Sequence, residues 1–509
     1  MITAALPHYI GAKLFDLKPE SADRMIVEFE PQENIPAWNR SRMRGRSDPN
    51  AVGVDAKIAI RSSFKMLGID PPPVRVELPR RDPANGMITD VGLDFAVVAS
   101  LLEAAGVVSL TGRHVFYGRM RDGRIVPTRG IVAVARSLKP GTVLHTSILN
   151  APIVERHIPD GVIIYGYLTI EEFAHHLGTR IDPKPWQRPV MQAPQLATFP
   201  IDDDTVRRLA VMAVGDHSGV VTRCKGKWWA PGHKDGVVAI TRYCRSLAVD
   251  DRQLIEADII RDIVSGTQAI GAWRHHPMTA PRDDCTAERI WGTPCHKNGM
   301  GVFGMYRVPE PAMAHGGVLL MEDICGAKPS GVRAIDEASQ DRVCREWPTD
   351  FMLLGFELGL GGETAEEQYA SIVGSIERAG RDASFVDPQS NRAARVGFHV
   401  ELTPDSTAHS SIDSSELRAM IIRGINVRTS RGQLEPNGRL DKIEIESITE
   451  VDDDTRPDWL SFLDMDVRTR LLRIARTVAD IDGSACVNVD HLNQAREMTF
   501  PRPPIPWRR

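Results

Sequence analysis

The sequence predicts an α/β protein that ends in a helical domain, and three stretches carry that expectation. Before residue 181, short apolar segments with strand and helix periods alternate between Gly and Pro punctuation. HGGVLLMEDI, residues 315–324, puts four apolar residues between two glycines and two acids, the pattern of a fully buried parallel strand with carboxylates at its carboxyl end. SSELRAMIIRGI and DVRTRLLRIARTVADIDG, both beyond residue 410, are periodic at 3.6 and are followed by NVDHLNQAREM.

Each part has its own justification. VRVEL (74–78) alternates as a half-buried strand does, and LDFAVVASLLEAAGVV (93–108) has apolar residues at helical spacing. GIVAVARSL and GVIIYGYL complete an α/β unit over residues 1–180. IDPKPWQRPVMQAPQLATFPID, residues 181–202, contains five prolines and neither period, which marks an interdomain linker. DDDTVRRLAVMAV (202–214) opens with acids that suit a helix N-terminus, and DDRQLIEADIIRDIVSG (250–266) is a second helix, so a core spans residues 203–385. Residues 386–509 form the helical end.

Composition narrows the function classes. A chain of 509 residues with 42% apolar and 25% charged residues is globular and multidomain, which excludes disorder, collagen and coiled-coil arrays. The net charge of −5 gives no global field toward nucleic acid or an anionic membrane, though a local basic patch stays open. The longest apolar run, Phe95 to Leu102, is far short of the ~18 to 20 residues of a membrane span. With no charged-then-apolar leader pattern, the expected location is the cytoplasm, without membrane partners. Cys224, Cys244, Cys285, Cys295, Cys325, Cys344 and Cys486 contain no CxxC pair and read as free thiols.

The strongest chemical signal is Glu322-Asp323, because an acidic pair at a buried strand tip is what magnesium binding and water activation in an NTPase need. The same residues also suit a strand followed by an acidic helix cap. A phosphate loop of the form GxxxxGK[ST] should precede such a strand, and it is absent: Gly226-Lys227 is followed by Trp228, with Val221 five residues before Gly226. In SGVVTRCKGKWWAPGHKDGVVAITRYCRSL the strand, a loop holding Lys225, Lys227 and Lys234, and a helix follow in order, and the loop is either an anion site or a solvated basic surface. His275, His276, Cys285, Cys295 and His296 are metal-ligand types at a spacing that fits no common zinc pattern. Arg470, Arg473 and Arg476 lie on nearly one helix face, which reads as a solvated basic face or as a reach toward a nucleotide.

Taken together, several segments resemble magnesium-chelatase-like AAA+ proteins of the ComM type, over residues from about 50 to 500. SFKMLGIDPPPVRVELPRRDPANGMITDVGLDFAVVASLL and YGRMRDGRIVPTRGIVAVA look like that family's N-terminal domain of ribosomal-S5/Lon-protease-like fold, without a Ser-Lys dyad. AVGDHS, PMTAPRDDC and PEPAMAHGGVLLMEDI are similar to segments before the phosphate loop, to an internal loop and to the approach to Walker B. NRAARVGFHVEL and RLLRIARTVADIDGS are similar to the family's arginine-finger region and lid helix.

The resemblance implies a domain order of S5/Lon-like 1–180, linker 181–202, AAA+ core 203–385 and chelatase-type lid 386–509. It implies ATP and Mg2+ as cofactors, with Glu322, Asp323 and the finger residue Arg395 catalytic, and Gly226, Lys227 and the sensor-2 residue Arg473 on the nucleotide. It also implies rings, as a homo-oligomer (a hexamer in the family) or as a hetero-ring with an active AAA+ subunit, with DNA as a further partner. This chain departs from the family in lacking GK[ST], in the order Glu322-Asp323, in Leu358 at the sensor-1 Asn position and in the absence of Cys between residues 363 and 390. Loss of the phosphate-neutralising lysine alone costs ~3 to 4 kcal/mol of transition-state stabilisation. The expectation is therefore a ring-forming protein with weak or lost hydrolysis. The alternatives are a working ComM-type branch-migration ATPase and a metal-handling chelatase-like subunit.

Overall fold

The computed structural model describes residues 2–5, 24–26, 28–31, 54–72, 74–77, 94–223, 232–265, 278–281, 285–291, 309–322, 327–344, 347–356, 398–402, 409–449, 451, 457–463 and 465–499. Within these, the chain builds two α/β sheets and a helical end.

The N-terminal unit contains β1 (Ile2–Ala5), β2 (Arg24–Ile26), β3 (Glu28–Pro31), α1 (Val54–Leu67), β4 (Val74–Glu77) and α2 (Asp94–Ala104). It continues through β5 (Arg113–Tyr117), β6 (Arg119–Arg121), β7 (Arg124–Val126), α3 (Ile131–Arg136), β8 (Thr142–Ser147), α4 (Ala151–Val154), β9 (Ile163–Tyr167), α5 (Ile170–Ala174) and β10 (Thr179–Ile181). The sheet order is β10-β9-β8-β5-β1-β2, with the inner pairs parallel and both edge pairs antiparallel. Helix α2 is buried from Asp94 through Leu102, as its apolar, hardly amphipathic sequence demands.

The second unit holds α6 (Asp203–Gly215), β11 (Gly219–Arg223), α7 (His233–Ala248), α8 (Asp251–Ser265), β12 (Met278–Thr279), α9 (Ala287–Ile290), α10 (Glu310–Met313) and β13 (Val318–Met321). It is completed by α11 (Pro329–Asp341), β14 (Val343–Cys344), β15 (Trp347–Pro348), β16 (Met352–Phe356) and β17 (Phe398–Leu402). Five of these strands form an all-parallel sheet in the order β12-β13-β16-β11-β17. VLLM is buried at every residue, because helices cover both faces of a parallel sheet. Asp202 caps α6 by accepting the Thr205 N–H at 2.7 Å. Strand β17 pairs in parallel with β11 over five residues and lies in the core sheet.

The helical end comprises α12 (Ser414–Ser430), α13 (Lys442–Ile448), α14 (Met465–Asp482) and α15 (Val489–Thr499). Its apolar faces pack on α6 and α7, so one cluster joins Leu417, Ile421, Leu471, Ile474 and Val478 to Leu209, Met212, Ile240 and the strands. The N-terminal unit meets the core through α8, where Asp262 accepts the Val132 N–H at 2.8 Å. Among the described residues, Cys244, Cys285, Cys344 and Cys486 are free thiols. No helix is long and apolar enough to cross a membrane among those residues.

Candidate functional site

In an open parallel sheet, ligands sit beyond the carboxyl ends of the strands, where successive connections run in opposite directions. From β11 the chain passes to β12 at one edge, returns through β13 and β16, and then crosses to β17 on the far side of β11. The dividing point is therefore β11/β16, and the residues at its carboxyl side form the candidate site.

Helix α7 begins there. Gly232, in the left-handed region at φ 86°, is its N-cap and offers no side-chain acceptor to the first N–H groups of the helix, the groups that suit an anion. Lys234 in the first turn places Nζ 3.1 Å from a carboxylate oxygen of Glu322, at the end of β13. The same ammonium lies 5.4 Å from the centroid of the Phe356 ring, at the end of β16. Both partners are partly open to solvent, with side-chain exposures of 32% and 56%, so the pair is worth only ~0 to 1 kcal/mol. An anion entering at α7 can compete for Lys234, and Glu322 is then free to bind a cation or a water.

Of the residues expected at the site, the structure places Glu322 here. Gly226, Lys227, Asp323 and Arg395 lie outside the described residues, as do Leu358, His275, His276, Cys295 and His296. Cys285 is buried, and no metal-binding group of three His, Cys, Asp or Glu exists among the described residues.

Arg473 lies on α14, where its carbonyl accepts the Thr477 hydroxyl at 2.9 Å, and the same hydroxyl stands 3.0 Å from His217 Nε2, just before β11. Because the Thr477 hydroxyl is spent as a donor, His217 must carry its hydrogen on Nε2. Burial pulls the His217 imidazole down to about 3, against the neighbouring Asp216 and with help from Arg473 and Arg439. Burial also lowers the Arg473 guanidinium, with Arg470 adding to it and Asp441, Asp466 and Glu444 opposing.

The solvated basic face weighed for α14 is corrected as well. Arg476 is fully buried and donates to Asp480 at 3.0 Å and to the carbonyls of Ser484 and Ala485 at 2.6 and 2.8 Å. Its role is to close the turn after α14.

Around His217 lies a charge network that sequence reasoning missed. Asp216 receives Arg245 at 2.9 Å and Arg439 at 2.5 Å, and Arg439 reaches Asp350 at 2.9 Å. Burial would push the Asp216 carboxyl up, but the two guanidiniums override it and hold it below the usual carboxylate range. Arg431 and Asn437 similarly converge on Asp480. The Arg439 contacts with Asp216 and Asp350 clamp the helical end to the amino side of the core sheet, and those on Asp480 brace the helical end itself. The acid after a helix in AVGDHS and the arginine in PNGR were visible, but nothing local links positions so far apart in sequence.

Residues 411–498 match the family described as magnesium chelatase, subunit ChlI C-terminal. The match takes in α12 through α15, the elements that carry the clamp on the helical side. The chain is also similar to a crystal structure of a candidate ATPase from Cytophaga hutchinsonii, at 11% identity and a TM-score of 0.29, covering 58% of this chain and 79% of that one. A full-length MCM homolog from Methanopyrus kandleri is similar at 13% identity and a TM-score of 0.26, covering 58% of this chain and 53% of that one. The sequence matches no curated protein.

Proposed function

We propose that the chain is a magnesium-chelatase-like AAA+ protein that binds a nucleotide triphosphate weakly at the carboxyl end of its parallel sheet and hydrolyses it slowly or not at all. The observation that carries this reading is the Lys234–Glu322 pair at the start of α7, at the dividing point of the sheet. The chelatase-type match of residues 411–498 supports it independently.

The residues present fit a phosphate with its magnesium ion. Lys234 and the first N–H groups of α7 suit phosphate oxygens, and Glu322 offers the single hard carboxylate that magnesium takes alongside phosphates and water. Bound there, the ion would neutralise charge on the phosphates. Lys234 would hold the terminal phosphate, Glu322 would keep the metal or a water in place, and Phe356 would limit solvent on one side. Asp235 follows Lys234 where an active phosphate loop has a hydroxyl, which adds a negative charge beside the phosphates and favours binding without turnover. Assembly into a ring, alone or with an active AAA+ subunit, belongs to the same reading, as do the S5/Lon-like character of residues 1–180 and a ComM-type relationship.

Calorimetry with ATP and Mg2+ on the full chain tests it. Lys234→Ala should abolish binding, whereas Arg473→Ala should leave it intact, and Lys227→Ala reports on the loop lysine. Phosphate release should stay far below the ~1 per second of an ordinary slow enzyme. Absence of ATP binding by the wild type, or binding indifferent to Lys234, overturns the site; brisk turnover overturns the lost hydrolysis and favours the working ComM-type motor on DNA.

A further inference from the structure

Three hydrogen-bonding side chains stand in a row on one face of the N-terminal sheet, and the nucleotide site uses none of them. Register places Phe116 of β5, His145 of β8 and Tyr165 of β9 side by side, with Arg180 of β10 next to Tyr165. His114 and Tyr167, two residues along their strands, share that face. His114 Nδ1 stands 2.8 Å from His145 Nε2, and His145 Nδ1 stands 2.9 Å from the Tyr167 hydroxyl. The far end of the row is fixed, because His114 Nε2 lies 2.9 Å from the Thr111 carbonyl.

That carbonyl can only accept, so it dictates every hydrogen behind it. Neutral His114 carries its hydrogen on Nε2 and accepts at Nδ1. His145 therefore donates from Nε2 and accepts at Nδ1, and Tyr167 donates its hydroxyl hydrogen. The His145 ring is buried and stacks on Phe116 at 4.5 Å, 10° from parallel. Burial, with His114 and His176 adding to it, pulls the His145 imidazole down to about 3, so a proton that enters the pair belongs to the half-buried His114.

A protonated imidazole donates from both nitrogens. With hydrogens on both nitrogens of His114, His145 Nε2 must accept, His145 carries its own hydrogen on Nδ1, and the Tyr167 oxygen becomes the acceptor. Net, one proton is gained, the charge rests on His114, and His145 exchanges an Nε2 hydrogen for one on Nδ1. The hydroxyl hydrogen of Tyr167 then needs a new acceptor, and among the described residues this hydroxyl has no second partner. Tyr167 is 4% exposed, and Gly178 packs against it so closely that a Cβ there would stand 2.8 Å from the hydroxyl oxygen. The segment from His176, left-handed at φ 57°, through Gly178 into β10 must give way before that hydrogen is satisfied.

We propose that His114, His145 and Tyr167 form a proton-operated tautomer switch, in which a proton taken up by His114 reverses the hydrogen bonds of the row and loosens the edge strand β10. The other titratable or charged groups at the row are Tyr165, His176 and Arg180, the last held by Asp182 at 3.4 Å. Helices α2 and α5 cover it with Phe95 and Phe173, and no carboxylate bonds to it among the described residues.

Long-range 1H–15N spectra of the full chain, labelled in histidine, follow each ring nitrogen between about pH 8 and 5, the range in which imidazole ordinarily titrates. His145 should stay neutral but change from its Nε2–H to its Nδ1–H form in step with protonation of His114. Over the same range, amide exchange of Thr179 to Ile181, corrected for the intrinsic effect of pH, should quicken about three- to tenfold, the worth of one hydrogen bond. His114→Gln should remove both responses, while Tyr167→Phe should keep the change at His145 and remove the one at β10. Should Tyr167→Phe fail to fold, His114→Gln decides alone. A single His145 tautomer throughout, or a quickening of β10 that persists in His114→Gln, would overturn the switch.

Discussion

Replacing Arg439 by Ala removes the centre of the buried clamp. Arg439 bonds Asp216 and Asp350 through charged hydrogen bonds of 2.5 and 2.9 Å and donates to the carbonyls of Ser339 and Phe351 at 3.2 and 3.3 Å. The Asp216 side chain is only 2% exposed, so it cannot recover the loss from water. Removing one member of a buried charge network costs ~3 to 5 kcal/mol, and because Arg245 still faces Asp216 at 2.9 Å the lower end applies, ~3 kcal/mol. Native-state hydrogen exchange is the appropriate assay, because a multidomain chain does not unfold in one step. Amides of α14 should exchange about a hundredfold faster, while those of α2 stay protected and the Lys234 site keeps its ligand affinity. Adding Asp216→Asn should cost far less than the sum of the two single changes. A loss under ~1 kcal/mol, or strict additivity, would refute the idea that these charges fasten the helical end to the core.

Three further outcomes follow from local geometry. His217 is neutral in the fold, with its value pulled from about 6.5 to about 3, so the unfolded chain binds the extra proton between those limits. Stability from this group is complete above pH 6.5 and is lost as pH falls toward 3; His217→Gln should flatten that part of the pH dependence of α14 exchange. A side chain at Gly236 would place Cβ 2.6 Å from Ile201 and 2.7 Å from Phe199, so Gly236→Val should lower thermal stability by ~1 to 3 kcal/mol. Asp413 caps α12 by accepting the N–H groups of Ser415 and Glu416 at 2.8 Å, and Asp413→Ala should lower the melting temperature of the helical end and speed amide exchange in the first turn of α12.

What was legible in the sequence was local. The run VLLM announced a strand covered on both faces, Asp202 announced the start of α6, and the α14 pattern announced a helix against a core. Partners separated by long stretches of chain left no such mark. Nothing local in FHVEL announces its sheet, which only the pairing with β11 reveals. Arg476 was weighed as a surface residue because its acceptors, the carbonyls beyond Asp482, lie in a turn whose course periodicity does not give. Lys234 was one of three loop lysines until the helix start at His233 put it one turn from Glu322.

The clamp on the helical end and the pair at α7 share no atom and lie at opposite ends of the strands. Substitutions at Lys234 or Glu322 therefore carry no penalty through the fastening of the helical end. The chemistry of this pair is open to drift while the architecture stays under selection for its own reasons, and redesigning the pair should be tolerated without rebuilding the clamp.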